Sequence, residues 1–591
     1  MAARKVLIRF AVVALGGVVA SVVNAAPPSV RKTCTLLLVF FCLTWSLAAA
    51  AQDSLTVEPA GAVTWDRMLA AEARAPRAAA RVRAIPFMPG PGVRELGAHG
   101  PLAAAPTLGP GPAPLGPTVT ANFAALDDNN TIVPPDTMGA AGPSHLMTML
   151  NSQVRIQDKT GGIMSTVSFS TFWTSGTGLS GTPFDPHVLY DSVSGRWIAT
   201  VNADARSATS KVWFAMSATN DPTGAWTFYQ FVADGTGSTW ADYQGFGVNN
   251  TWIAITKNMY RVHGGQLVGA KMWVIDKSAA LMGGPLTVTV FSPGFDTSGG
   301  VNGSTLKPAL TYSAAEPTLF IVDNSGWTSG GTALIRLSRI TGTGAAPAWS
   351  VVPGSSFTGP SPGPTGLFAV ANNFSFTQIQ APQFGTSATI DTGDTRASDS
   401  VYRNGGLWFA HSGGLPSSGT VNRTAVFWYQ VDPSAMPSPI VQSGVLDGGA
   451  GVHHFFPSIA ANAANDALLG FSRSDASRFV EAVTAGRFEG DPLGSMAGPS
   501  VLKAGEGCYL KTFGGRVNRW GDYSASSIDP TDDLTFWTVQ EYATIPSPAT
   551  SCADNSGRWG TWWGMSAATT TTTSSTTSTS STTTTTITGC G

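Results

Sequence analysis

Through most of this chain apolar and polar positions alternate in short runs broken by Gly, Pro, Asp and Asn. That is the pattern of half-buried strands, and sustained helical spacing is scarce. The clearest stretch is FDPHVLYDSVSGRWIATV from Phe184. It predicts a strand over Asp185–Tyr190, a turn at Ser194-Gly195 and a second strand over Arg196–Val201, since Gly supplies the positive φ of a tight reversal. A third strand is expected over Lys211–Ser217 and a fourth over Trp226–Val232, after the turn Asp221-Pro222-Thr223-Gly224. Four strands in a meander are one blade of a β-propeller.

Weaker copies of the unit begin near Pro135, Asp242, Lys307, Arg396, Phe456 and Asp522. The pattern therefore predicts an all-β fold, a β-propeller of seven blades, with six as the alternative if the Pro135 unit is a decorated loop. Comparable units run over 242–291, 307–352, 396–445 and 456–502. The last unit, 518–567, supplies three convincing strands, the third over Gly557–Met565, while Thr118–Leu126 is an orphan strand ahead of the first unit. We expect that orphan to become the outer strand of the last blade and so close the ring, pairing an edge that would otherwise stay open.

Composition agrees with this reading and limits the partners. With 67 Gly, 39 Pro and 18 Trp among 591 residues, and only 12% charged residues, the chain suits many short strands around a large core. A formal net charge of -2 lacks the basic excess that neutralises phosphates, which argues against nucleic acid. Residues 1–51 hold two apolar segments with basic flanks, Lys5–Ala26 and Arg31–Ala51. The second reads as an export signal: Arg31 and Lys32, an apolar centre over Thr35–Leu47, then Ala49 and Ala51 before Gln52. The first is either a misassigned start or a membrane anchor. A secreted or cell-surface protein is expected, in a compartment where Cys508 and Cys552 can form a disulfide. Cys590 is left over for another chain or a truncated Cys-containing module.

The remaining boundaries follow from composition. Residues 52–117 are rich in Ala and Pro and read as a linker or pro-region, with room for a short helix over Asp66–Arg83. The propeller is assigned to 118–567, and 568–591 is a Thr/Ser-rich tail, unbroken over Thr569–Thr586, suited to a spacer or to O-glycosylation. A monomer is expected.

Three segments, VPPDTMGAAGPSHLMTMLNSQVRIQDKTGG, FDPHVLYDSVSGRWIATV and NRWGDYSASSIDPTDDLTFWTVQEY, together resemble a family of exported bacterial β-propeller proteins of largely unassigned activity, loosely similar to the sialidase superfamily. The resemblance covers Thr118 to about Ala567 and implies the fold, not a reaction. The turn Thr219 to Trp226 is similar to the sialidase Asp box with its Gly one position late; in such boxes Asp and Trp hold a turn, so Asp221 and Trp226 are given no chemistry.

Chemistry is expected where the inner strands begin, because these starts converge on one face of a propeller. The candidate ligand-binding residues are Asp136, Asp185, Asp242, Lys307, Asp394, Arg396, Arg519 and Asp522, with His454 beside Phe456 at the sixth position. Such a mixed ring suits a glycan or an extracellular protein, or it serves only to cap its own turns. Glycoside hydrolysis would need two carboxyls at a set separation; Asp185, Asp242 and Asp522 could supply them, with Glu541 as an acid. Sialidase-type chemistry would need Tyr activated by Glu, yet Glu541 and Tyr542 are strand neighbours and should diverge, and its Arg clamp would come from Arg396, Arg516 and Arg519. No residue is assigned a catalytic role. No cofactor is expected; Asp127 to Asn130, or Asp391, Asp394 and Asp399, offer oxygen ligands for Ca²⁺ without a recognised loop, and His453 and His454 should point apart. The leading expectation is a non-catalytic binding module; the alternatives are a carbohydrate-active hydrolase and a purely structural surface protein.

Overall fold

The computed structural model describes residues 52–75, 82–85, 95–96, 114–292, 305–328, 332–352, 368–371, 379–416, 421–435, 440–513 and 517–567. The apolar segments before Gln52, Arg516, the Thr/Ser tail and Cys590 lie outside the described residues. Among the described residues strand makes up 56% and helix 5%, and the strands build a β-propeller.

The Phe184 unit shows how sequence becomes sheet. Its strands are Pro183–Asp191, Arg196–Ala203, Lys211–Ser217 and Ala225–Val232, each hydrogen-bonded to the next. Gly195 takes φ 66° at the first turn, and Gly195 N–H donates to Asp191 O at 2.9 Å. The first three strands are buried on both faces, so their runs of Val, Ile, Trp and Phe need no polar alternation. Trp197, Trp213 and Trp226 are fully buried, and with Trp173 they fill the space towards the sheet that starts at Met138.

Five separate sheets of four to six strands begin at Met138, Pro183, Lys307, His453 and Ala525. The expected seven units do not appear as seven separate sheets. The Asp242 and Arg396 units share one ten-stranded sheet, because the short strand Leu310–Thr311 pairs in parallel with Val248 on one side and with Val401 and Tyr402 on the other. The strand Thr118–Asp127 runs antiparallel to Arg558–Ala567, with Thr118 opposite Ala567 and Asp127 opposite Gly560. Leu126 N–H donates to Thr561 Oγ1 at 2.9 Å in the same seam.

The linker expected from Gln52 is corrected in its first part. Gln52–Val57 adds an outer strand to Leu286–Phe291, and Gly61–Thr64 adds one to Ala225–Val232. A helix over Trp65–Arg74 follows, burying Trp65 and Met68 in the same core as Trp173 and Trp226. Trp65 Nε1 donates to Ser165 Oγ at 2.8 Å, and Glu72 Oε2 accepts from Ser168 N–H and Oγ at 3.0 and 2.8 Å. The abundance of Ala and Pro had masked Leu55, Val57, Val63, Trp65 and Met68, whose alternation and then helical spacing give this stretch an apolar face. Gly61 is required by close approach, since a Cβ there would lie 2.7 Å from Thr177 O.

Cys508 and Cys552 form a disulfide across a sequence separation of 44. Among the described residues no helix is long and apolar enough to cross a membrane.

Candidate functional site

The inner strands bend inward at bulges. Register shifts fall between Phe184 and His187, between Asp242 and Gln244, and between Phe455 and Ser458. Within or just ahead of these strands Asp136, Asp185, Tyr243 and Phe456 hold φ of 51°, 54°, 40° and 52°, left-handed conformations that cost a residue with a side chain about 1–2 kcal/mol each. A recurring contact offsets that cost. Asp185 N–H donates to Asn151 Oδ1 at 2.7 Å, Thr305 N–H (φ 55°) to Asn258 Oδ1 at 2.6 Å, and Phe456 N–H to Ser412 Oγ at 3.1 Å. In each case a polar side chain from the preceding unit takes the amide of the left-handed residue, so the bend is also a bond between units.

These bends bring Asp136, Asp185 and Asp242 together in the interior, none more than 4% exposed. Their carboxyls are linked in a string, Asp136 to Asp185 and Asp185 to Asp242. A carboxyl-to-carboxyl hydrogen bond needs a proton, so two bonds among three groups require two. Burial, then the neighbouring carboxyls Asp185 and Asp522, push the Asp136 carboxyl well above its ordinary range; burial, then Asp242 and Asp522, do the same to Asp185. Burial raises Asp242 to about 6, held back by the bond from Asp185, by Tyr243 N–H and by Arg396. Burial thus drives Asp136 and Asp185 towards the protonated form, with Asp242 held back by its partners.

Cations close the ring. Arg519 donates to Asp522 Oδ2 at 2.8 Å and lies 3.6 Å from Asp391. Burial opposes its charge, but Asp522, Asp136 and Asp391 outweigh burial and hold the guanidinium above its usual value. Arg396 donates to Asp394 Oδ1 at 2.8 Å and stacks 3.6 Å from the centre of the Tyr243 ring. Lys307 Nζ donates to Gln244 O at 2.6 Å and sits over Tyr243 and Tyr523 at 4.7 and 5.4 Å. Burial lowers Lys307 to about 7, with Arg396 adding to the effect and Asp399 opposing it. Gln244 also bonds the Asp185 carbonyl, His187 and the buried Lys257, tying two bulges to one amide.

All eight candidate residues therefore gather in one network: Asp136, Asp185, Asp242, Lys307, Asp394, Arg396, Arg519 and Asp522. Their surroundings are filled. The cavity beside them, bounded by His187, Lys307, Tyr312, Asp399, Ser524 and Ser526, measures about 30 Å³. That is room for one or two waters, against roughly 300–1,000 Å³ for small-molecule sites.

The two histidines do not share a site. His453 Nδ1 faces Thr424 and His454 Nδ1 the Leu446 carbonyl. Asp128 pairs with Lys511 in the interior, and Asp399 Oδ1 accepts from Ser400 N–H. Among the described residues no three His, Cys, Asp or Glu side chains are placed to hold a metal ion. Glu541 is buried, with burial and then Asp136 raising its carboxyl well above the usual range, while Tyr542 packs on Trp562 with ring centres 5.8 Å apart. Asp221 Oδ1 accepts from Thr223 N–H at 2.8 Å and Trp226 Nε1 donates to Pro222 O at 2.9 Å, a turn closed on itself. Sequence reasoning missed Asn151, Gln244, Lys257, His187 and the two tyrosines. For the tyrosines a signal exists, the repeated Asp-Tyr pair at Asp242-Tyr243 and Asp522-Tyr523, whose rings lie 5.2 Å apart.

No family model and no curated protein matches this chain. Among solved structures it is similar to sialidase and other propellers at low identity. Trypanosoma rangeli sialidase in complex with sialic acid aligns at 10% identity and TM-score 0.35, over 70% of this chain and 57% of that one. A hypothetical selenium-binding protein from Sulfolobus tokodaii aligns at 9% and 0.34, over 61% and 76%. Drosophila Plexin A in complex with Semaphorin 1b aligns at 8% and 0.28, over 76% and 87%. Likeness at this level does not say what the chain binds or does.

Proposed function

We infer that this protein is an exported, non-catalytic propeller of seven blades, its ring closed by Thr118–Asp127, that binds a glycan or an extracellular protein through the channel face and its loops. The observation that carries the reading is the string Asp136–Asp185–Asp242. Glycosidases hold two carboxyls roughly 5–10 Å apart around a bound sugar. Here three carboxyls are hydrogen-bonded to one another beside a cavity of about 30 Å³. Two of the Arg groups that would clamp an anionic sugar, Arg519 and Arg396, are already paired with Asp522, Asp391 and Asp394. The disulfide supports an oxidising compartment. Only the partly exposed edge of the network, Asp394 and Asp522 with 13% and 14% of their side chains accessible, is offered to a partner at the face.

The test is to assay the purified protein against a broad panel of glycosides and sialosides and on glycan and extracellular-protein arrays. Retention without hydrolysis is expected. Hydrolysis abolished by Asp185→Ala or Asp522→Ala would overturn the reading, and absence of both hydrolysis and retention would leave a structural role.

A further inference from the structure

A second hollow has none of the eight network residues in its walls. It measures about 250 Å³ and is lined by Phe320, Tyr402, Gln430 and Asp432, with the hairpin turn Asn404-Gly405-Gly406 at its edge. Each feature of that lining narrows what would fit.

The floor is aromatic: the rings of Phe320 and Tyr402 lie 4.8 Å apart at 32°. The hairpin wall is fixed in place. Asn404 and Gly405 take φ of 48° and 84°, the left-handed pair of a tight two-residue turn, and Asn404 Nδ2 donates to Ala463 O at 3.0 Å and to Asn465 Oδ1 at 2.9 Å. A Cβ at Gly406 would lie 3.0 Å from Gln430 Nε2, so glycine keeps that amide clear. Gln430 is oriented from behind, its Oε1 accepting from Gln442 Nε2 at 2.6 Å, which turns its donor group to the hollow.

The charge is one-sided. Asp432 Oδ1 is taken by Ser434 N–H and Oγ at 2.8 and 2.6 Å, leaving Oδ2 as an acceptor. Burial, then Glu316 and Asp432, raise the Tyr402 phenol, which is hydrogen-bonded to Glu316. Among the described residues no Lys or Arg lines the hollow. An anion is repelled by this set, and a purely apolar group would strand the amide and the carboxylate.

We propose that this hollow binds one neutral pyranose ring. The ring's C–H face lies against Tyr402 and Phe320, one sugar hydroxyl donates to Asp432 Oδ2, and one sugar oxygen accepts from Gln430 Nε2. The volume is just below the roughly 300 Å³ lower end of small-molecule clefts, the size for a single ring. The site lies outside the channel network and stands whether or not the channel face binds anything.

Ligand-observed saturation-transfer NMR on the whole protein tests it, with methyl β-D-galactopyranoside, methyl β-D-glucopyranoside and methyl α-D-mannopyranoside as probes and methyl β-D-glucuronide as the anionic comparison. At least one neutral probe is expected to bind in the millimolar range and the glucuronide more weakly. Gln430→Ala and Asp432→Asn should each weaken binding by about fivefold, the effect of one lost hydrogen bond of about 1 kcal/mol, with a melting temperature close to that of the parent. Tyr402→Phe, which keeps the ring, should bind within about twofold of the parent. Three results would overturn the proposal: no signal from any neutral probe, affinity unchanged in both Gln430→Ala and Asp432→Asn, or tighter binding of the glucuronide or of N-acetyl-lysine amide than of every neutral probe.

Discussion

Asn151 Nδ2 donates to Asp136 Oδ2 at 2.6 Å. The same side chain accepts Asp185 N–H and donates to the Pro134 carbonyl, so one amide joins two left-handed bends in neighbouring units. Replacing it with alanine leaves a buried N–H and a buried carbonyl without this partner. Asn151→Ala is expected to lose about 2–4 kcal/mol, read as a lower midpoint in urea denaturation. A loss below about 0.5 kcal/mol would mean that water replaces the amide.

The protonated string makes a pH prediction whose sign can be fixed. Asp185 has a folded value raised well above its ordinary one by burial and by neighbouring carboxylates. Its stabilisation is therefore complete below the unfolded value, near 4, and is lost as pH rises through the folded value. Asp185→Asn keeps a donor for Asp242 and an acceptor for Asp136 without a titrating proton. The stability of the parent relative to Asp185→Asn should fall from pH 4.5 to 7.5, by up to about 1.4 kcal/mol per pH unit. Taking the difference cancels His411, His453 and His454, which, lowered to about 4 chiefly by burial, act with the opposite sign in both proteins. A difference that is flat or rises with pH would contradict a proton on Asp185.

Arg519 answers Asp522 and Asp391 at once, and Asp391 is raised by burial to about 6. Arg519→Met should cost about 3–5 kcal/mol at pH 7.5, the effect of leaving buried charge without its partner. The loss should shrink at pH 5, where Asp391 takes up a proton. Equal losses at both pH values, measured by guanidinium unfolding, would show that packing of the Arg519 side chain sets the cost instead of charge.

The N-terminal strands and helix are expected to be part of the folded unit. Trp65 is buried to 1% exposure, and Trp65→Ala should cost about 3–5 kcal/mol. Removing 52–74 uncovers the edges of Leu286–Phe291 and Ala225–Val232, and the truncated protein should form dimers or larger species by size-exclusion chromatography. A monomer of unchanged stability would sink this prediction.

How much of this was legible in the sequence depended on repetition. The Phe184 unit could be traced because Gly and Asp mark its turns and apolar residues fill its strands; Lys211–Ser217 is observed at the bounds its pattern predicts. The charged members of the network were found for the same reason, as each stands where an inner strand begins. Asn151, Gln244 and Lys257 carry no such mark. They are single polar residues inside or just beyond apolar strands; Asn151 and Gln244 are selected by backbone groups of Asp185 on a neighbouring unit, and Lys257 by Gln244 within its own unit. The two-residue strand Leu310–Thr311 is too short to have a period, yet it merges two units into one sheet. The carboxyl string was hidden for another reason. A sequence gives the residue type but not the burial that turns an acid into a hydrogen-bond donor.

The strand at Gln52–Val57 has a consequence in time as well as in space. Its partner ends at Phe291, and the strand at Thr118–Asp127 waits for Arg558–Ala567, almost the last of the described chain to be synthesised. The earliest strands to leave the ribosome are thus among those that must wait longest, unpaired, for a sheet to join. Export N-terminus first, as proposed above, would carry these early segments across a membrane still unpaired, and the molecule would lock only when its far end arrives.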